Sequence, residues 1–389
     1  MEIDLHVLFE KERNGALKLI NTGGNLIKYL CGRSSLCPLL SKNKDIKYIQ
    51  KLGEGVQGVV YEIDFPNKGP KQYVVKKSKE HKYHKCSQIK SYKRFDGEGV
   101  TKVSPRSIIC DQEYSEYALA LLLGDIASRG VCINFVDVFA FATCNNKNEN
   151  TIYNYTFMEK AHSTLRKKVG CIFGSTDKKT KLTNFLLIQI LFAIATYQKE
   201  YEIVHGDLHA DNIFLFYDYN MQWKSQKITN FDYFEYKIGK TSIYLPAIPI
   251  IVKIGDLGYG VKYKKNMIGN SYVLEKGYDQ GKGEGPILPN FFTKAYDLMY
   301  VLDEFREKNP SNEFIKSMVA YVAGLKSDCK DSELDKKFDT LVNPRNRRPK
   351  IKEISKLTHV TPEAILTNHS IMGKYLKKPK GNIINIGEI

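Results

Sequence analysis

Asp207 and Asn212 stand five positions apart in His205-Gly206-Asp207-Leu208-His209-Ala210-Asp211-Asn212, directly after a long apolar stretch. A carboxylate can orient a hydroxyl nucleophile, and an amide oxygen a few residues on can hold a divalent cation. Phosphoryl transfer needs both, because it is mostly positioning and charge neutralisation. The spacing therefore predicts Asp207 as the base and Asn212 as a metal ligand. An Asp near an Asn also occurs on ordinary solvated loops, so the assignment depends on what else the chain carries.

Three further stretches, in chain order, bear on it. Leu52-Gly53-Glu54-Gly55-Val56-Gln57-Gly58-Val59-Val60-Tyr61 is a glycine-rich turn, and glycines let the backbone approach phosphate oxygens and donate N–H groups to them. A lone pattern of this kind also opens dinucleotide-binding units, where a helix follows the last glycine. Here Tyr61, Ile63 and Phe65 alternate with Val60, Glu62 and Asp64, which reads as a strand, and Asn67-Lys68-Gly69-Pro70 supplies a turn. The return strand Tyr73-Val74-Val75-Lys76 ends on a lysine. Period-two alternation sends Lys76 and Lys77 to opposite faces, and Lys76 has the register to meet phosphates. Finally, an apolar strand expected from Ile248 to Val252 delivers Asp256 into the glycine-flanked turn Gly255-Asp256-Leu257-Gly258. A carboxylate there suits magnesium, a hard cation that prefers oxygen.

With these motifs the chain resembles eukaryotic-type protein kinases from about residue 50 to about residue 350. Within that superfamily it is similar to the divergent serine/threonine protein kinases of large nucleocytoplasmic DNA viruses, of the iridovirus and poxvirus type. The similarity is carried by residues 205–212, by Cys132-Ile133-Asn134-Phe135-Val136-Asp137-Val138 and by Thr361-Pro362-Glu363-Ala364-Ile365-Leu366. It implies an α+β, bilobal fold with a small β-rich N-lobe and a larger, mainly helical C-lobe. It also implies transfer of the γ-phosphate of ATP, with Mg2+, to Ser/Thr hydroxyls of viral or host proteins, in the host-cell cytoplasm or the virion.

Carried over residue by residue, the resemblance has Gly53, Gly55, Gly58 and Val60 contact the nucleotide, the glycines covering its phosphates. Lys76 would bind the α- and β-phosphates, Asn212 and Asp256 would hold magnesium, and Asp207 would accept the substrate proton. A hinge at Thr156-Phe157-Met158-Glu159-Lys160-Ala161 would offer a gatekeeper at Met158 and backbone contacts to adenine from Glu159 and Ala161. The carboxylate partner of Lys76 follows from helical spacing: Glu116, Leu119, Ala120 and Leu123 recur at i, i+3, i+4 and i+7, so Glu116 borders an apolar face, with Glu113 as the fallback.

The chain also departs from that pattern. Gly206 stands where many kinases have an Arg, removing the usual counter-charge for a phosphorylated activation loop. His209 replaces the common phosphate-binding Lys, Leu257 replaces a Phe, and no Ala-Pro-Glu follows Asp256, where Gly281-Lys282-Gly283-Glu284-Gly285-Pro286 fills the region.

Several elements must position these residues. Leu182 to Tyr197 is apolar nearly all round and predicts a buried helix before the 205–212 loop. Leu298, Val301, Leu302 and Phe305 recur at helical spacing after Asp297, which the resemblance casts as a brace for that loop. The separation of Asn212 from Asp256 exceeds what a simple hairpin needs, so an aromatic-rich insertion is expected at 217–245. The resulting division is a helical extension at 1–45, an N-lobe at 46–160 with a basic insertion at 78–106, and a C-lobe with a tail at 161–389. Within the extension, Leu17, Ile20, Leu26 and Leu30 suggest a helical face packed on a lobe.

At 389 residues and 42% hydrophobic content the chain can bury two cores. It shows no run read as a membrane span and no signal peptide at Met1. Eight Cys without a CxxC pair suggest reduced intracellular thiols. His81, His84 and Cys86 superficially suggest a metal cluster but sit among lysines of the basic insertion. A net charge of +16 could attract acidic proteins or nucleic acid; the lysines are spread along the chain, which favours coding bias over a nucleic-acid partner. Two rival functions are a small-molecule phosphotransferase, since HGDLH followed by Asn also occurs in antibiotic and choline kinases, and a pseudokinase-type binding module. The full glycine-rich pattern argues against the first, and intact Lys76, Asp207, Asn212 and Asp256 argue against the second.

Overall fold

The computed structural model describes residues 5–22, 47–55, 58–64, 73–79, 92–96, 99–103, 107–109, 112–146, 151–217, 221–263, 266–269, 291–342, 349–354 and 356–389. They form a mixed α+β protein with a β-rich sheet region and a set of helices.

Helix α1 (Leu5–Thr22) comes first. Strands β1 (Lys47–Gly55), β2 (Gly58–Asp64) and β3 (Tyr73–Lys79) form an antiparallel meander. A hairpin of β4 (Tyr92–Asp96) and β5 (Gly99–Val103), strand β6 (Ser107–Ile109) and helix α2 (Gln112–Ser128) follow. The chain then returns as β7 (Val138–Asn146) and β8 (Thr151–Glu159), completing a five-stranded sheet in the order β1-β2-β3-β8-β7. Two-residue alternation divides its side chains. Ile63, Val75, Ala140, Ala142 and Phe157 make a small cluster of their own, and Val74 and Met158 belong to the other face. The basic insertion thus contributes the β4–β5 hairpin. The His81, His84 and Cys86 cluster and the glycine-rich stretch 281–286 lie outside the described residues.

α2 is buried on several sides, with Tyr117, Ala118, Leu119, Leu121, Leu122 and Leu123 all at most 1% exposed. It packs on β7 and on α1, whose Ala16 and Ile20 are themselves buried, so residues 5–22 dock through that face. Leu26 and Leu30 fall outside the described residues.

β9 (Ser163–Thr164) leads to helix α3 (Asp177–Tyr201), started by the Thr176 side chain accepting the Lys179 amide and ended by Glu202 in the left-handed region at φ 52°. Every residue from 186 to 198 is buried. α3 alone among the described residues is long and apolar enough to cross a membrane. However, 78% of its apolar window is buried inside the protein, as befits a core helix.

After α3 come β10 (Ile203–Val204) and β11 (Ile213–Phe216), then the short hairpin of β12 (Gln222–Trp223) and β13 (Gln226–Lys227), and the longer hairpin of β14 (Tyr233–Ile238) and β15 (Thr241–Pro246). β16 spans Ile251–Ile254, later than the strand expected from Ile248 to Val252. Tight turns from the Ile248 amide to the Pro246 carbonyl and from Ile250 to Ile248 occupy that stretch, and Pro249 has no amide to give a ladder. β17 (Val261–Lys262), β18 (Asn266–Gly269) and β19 (Phe291–Phe292) precede helices α4 (Ala295–Lys308), α5 (Glu313–Ala323), α6 (Asp331–Leu341) and α7 (Pro362–Thr367) and the final strand β20 (Ile383–Glu388).

The insertion is an integral part of this assembly, because β20 pairs in parallel with β14. β20 also takes the Ile133 amide on Ile386 at 3.1 Å and gives the Glu388 amide to Val131 at 2.8 Å, joining the tail to the segment after α2. Gly387 permits this approach, since a Cβ there would lie 2.5 Å from the Phe192 ring. Cys132, Cys171 and Cys329 are free thiols; Cys144 is disulfide-bonded, so the expectation of reduced thiols does not hold at that position.

Candidate active site

The antiparallel ladder of β11 and β16 pairs Ile213 with Ile254. Asn212, just before one strand, is therefore brought beside Gly255 and Asp256, just after the other, and the Gly255 amide donates to the Asn212 carbonyl at 3.4 Å. His205 adds a second tie, its Nε2 lying 3.0 Å from the Gly255 carbonyl oxygen. Asp256 adopts φ 59°, a left-handed conformation in which Asp and Asn are the commonest residues after glycine. The Asn212 side-chain Nδ2 donates to the Asp207 carbonyl at 2.9 Å, and its Oδ1 has no partner among the described residues.

Asp297, in the first turn of α4, is fully buried and accepts three hydrogen bonds: from the His205 amide at 2.8 Å, the Gly206 amide at 2.9 Å and the Tyr197 hydroxyl at 2.7 Å. The brace implied by resemblance is thus physically present. Burial pushes the Asp297 pKa up, and the neighbouring His205 and the three donors pull back without cancelling it. Gly206 has φ 80°, which glycine adopts without strain.

Lys76 leaves the β3 strand towards α2. Its Nζ donates to Glu116 Oε1 at 2.6 Å and lies 3.7 Å from Asp256 Oδ1. Glu116 is therefore the partner, as the helical phase predicts; the Glu113 side chain lies outside the described residues. Burial alone would lower the Lys76 pKa, but the charges of Asp256 and Glu116 more than offset it and hold the ammonium above its ordinary value. Lys77 takes the opposite face, with its ammonium 3.8 Å from the centroid of the Tyr153 ring.

Lys76, Glu116, Asp207, Asn212 and Asp256 line one cleft of 790 Å³ between the sheet and the helical part. Gly53, Gly58 and Val60 line it from the glycine-rich turn. The glycines differ in what they require. A Cβ on Gly58, at φ 140°, would lie 2.4 Å from the Lys77 carbonyl oxygen, whereas one on Gly53 would meet nothing within 4 Å. Gly55 pairs with Gly58 across the turn.

Met158, Glu159, Lys160 and Ala161 line the same cleft. The Glu159 amide is committed to the Asp137 carbonyl at 3.0 Å, so a backbone contact from Glu159 to a ligand must come from its carbonyl. The Ala161 amide has no partner among the described residues. The Glu159 carboxylate accepts the Asp137 amide at 2.7 Å and lies 2.5 Å from Lys253 Nζ, a lysine only 8% exposed. His209 faces Asp207 at 3.4 Å through Nε2 and Asp211 at 3.5 Å through Nδ1. Burial lowers its pKa, but the Asp207 hydrogen bond and the charges of Asp207, Asp211 and Glu304 prevail and raise it.

Two contributors escaped the sequence reading. Lys253 looks like one of many lysines, and the only hint of its role is its place inside an apolar strand. Glu304, whose Oε2 accepts the Ala210 amide at 2.8 Å, could have been found from its spacing of two helical turns after Asp297. Among the described residues no group of three or more His, Cys, Asp or Glu could hold a metal ion; Asn212 and Asp256 both line the cleft. Comparison with protein-family models and with curated proteins gives no match.

Proposed function

We propose that this protein is an ATP- and Mg2+-dependent protein kinase of bilobal fold, with the sheet region as the small lobe and the helical region as the large one. The observation that carries the reading is the convergence of Lys76, Glu116, Asp207, Asn212 and Asp256 on a single cleft, with Lys76 already paired to Glu116 at 2.6 Å. The donor set suits magnesium. Asn212 Oδ1 has no partner among the described residues and the Asp256 side chain is 42% exposed, and magnesium typically takes one or two protein oxygens beside waters and phosphates. When bound, the ion would neutralise charge on the phosphate oxygens.

The chain's own residues would do the rest. The Lys76 ammonium, fixed by Glu116, would donate to phosphate oxygens, and the open backbone at Gly53 would let the turn close over them. The Ala161 amide and the Glu159 carbonyl would address the base. Asp207 would orient the substrate hydroxyl and accept its proton as the oxygen bonds to the γ-phosphorus and the bond to the bridging oxygen of the nucleoside diphosphate breaks. Preference for Ser/Thr and for viral or host proteins rests on the sequence resemblance. The test is incubation of the purified chain with labelled ATP, magnesium and a protein panel. Label on protein serine or threonine is expected; label only on aminoglycosides, choline or similar small molecules would overturn the proposal.

A further inference from the structure

Helix α4 carries two carboxylates two turns apart that reach the 205–212 loop, and the second has no counterpart in the reading above. Glu304 Oε2 accepts the Ala210 amide at 2.8 Å, and its other oxygen lies 3.3 Å from Arg166 Nη2. Arg166 closes the arrangement from another segment: its backbone amide donates to the Ala210 carbonyl at 3.1 Å, and its Nε lies 3.4 Å from Asp211 Oδ2. Ala210 is therefore held on both sides of its backbone, by a side chain of α4 at its amide and by the Arg166 main chain at its carbonyl. The Glu304 side chain is only 12% exposed. Partial burial drives its pKa up, against the pull of the Arg166 charge and the Ala210 amide.

Asp297 holds the loop at His205 and Gly206, before Asp207; Glu304 holds it at Ala210, between Asp207 and Asn212. We propose that Glu304 is a positioning residue that fixes the second half of the loop, so that the Asp207 carboxylate and the Asn212 amide oxygen keep their mutual placement. This rests on the function proposed above. Arg166 acts with it, by pairing with Glu304 and Asp211 while its own amide donates to the carbonyl of the same residue, Ala210.

The hydrogen bond and the ion pair are separable by substitution. Gln at 304 keeps an oxygen for the Ala210 amide but loses the charge facing Arg166, whereas Ala loses both. Glu304→Ala, Glu304→Gln and Arg166→Ala are made in the full chain, and kcat, KM for ATP and amide hydrogen exchange are measured. Glu304→Ala is expected to lower kcat roughly 10- to 100-fold, the scale of a small misplacement at a reacting centre, while KM for ATP stays within about twofold. Exchange should quicken at residues 207–212 and stay unchanged in α3. Glu304→Gln should recover most of both losses, because the amide regains its acceptor. A kcat for Glu304→Ala within about twofold of wild type, or a Gln variant as impaired as the Ala variant, would overturn the inference. Unchanged exchange at Ala210 in the Ala variant would overturn it whatever reaction the protein performs. A wild-type chain that transfers no phosphate would instead sink the functional proposal.

Discussion

Asn at position 297 would keep the shape of the carboxylate and remove one of its two acceptors. Asp297 Oδ2 takes the Tyr197 hydroxyl and the His205 amide, and Oδ1 takes the Gly206 amide, all at 2.9 Å or less. Asn has one oxygen and an amino group. With the oxygen towards His205, the amino group meets the Gly206 N–H, donor against donor; reversed, it meets the His205 N–H while Tyr197 turns its hydroxyl to accept. Either way one buried backbone amide loses its acceptor, at about 1–3 kcal/mol. The remaining bonds change from charge-assisted to neutral, costing up to about 1 kcal/mol more each. Against this, the neutral side chain escapes the burial penalty that raises the Asp297 pKa. The balance predicts destabilisation of about 2–3 kcal/mol and a kcat lowered roughly 10- to 100-fold, because the affected peptides lead directly into Asp207. Urea unfolding at constant m gives the first figure and initial rates give the second. A variant within about 0.5 kcal/mol of wild type and with unchanged kcat would show that the three hydrogen bonds do not set the loop.

Asp207→Asn and Asp256→Asn should each lower turnover by about 10²- to 10⁴-fold with the circular dichroism spectrum unchanged, and Asp256→Asn should weaken magnesium-dependent nucleotide binding more; near-wild-type rates in both would mean the site lies elsewhere. The folded Lys76 pKa is raised above the ordinary 10.5, so its pairing energy is fully present below pH 10.5 and lost only as pH rises through the still higher folded value. The stability difference between wild type and Lys76→Met should therefore stay constant from about pH 7 to about pH 10 in denaturant titrations. Ala16→Asp would bury an unpaired charge where α1 meets α2 and β7 and should cost about 3–5 kcal/mol, with faster amide exchange in residues 112–128; an unchanged unfolding midpoint would refute the docking of α1. Alkylation at neutral pH should label exposed Cys171 and spare Cys132, whose thiol burial pushes up to about 12, and mass spectrometry of digested protein reads the outcome.

Asp207, Asn212, Asp256 and Lys76 were visible in the chain because each sits in a local pattern whose backbone demands are written beside it: glycines around Asp256, two-residue alternation up to Lys76, five positions from Asp207 to Asn212. Glu116 was recoverable for a related reason, since helical periodicity orients a side chain without knowledge of its partner. The buried face of α3 and the apolar stripe of α4 were legible in the same way.

Tertiary structure decided what depends on pairing between distant segments. The strand 251–254 starts later than its apolar run because Pro249 and two tight turns consume the beginning of that run, a competition between local geometries that hydrophobicity does not register. The longer hairpin of the insertion gains its third strand only from the tail, residues 383–388, and nothing in either sequence segment names the other. Glu304, Arg166, Arg13 and Lys253 are residue types common on any surface; Arg13 reaches Asp137 at 3.0 Å and Lys253 reaches Glu159 at 2.5 Å only because the fold packs their elements together. Local sequence determined which groups could do chemistry, since periodicity and turn geometry act over a few residues. Only the folded chain decided that Glu304 holds the Ala210 amide and Glu159 holds Lys253, because a fixed partner from a distant element is a property of the assembled core.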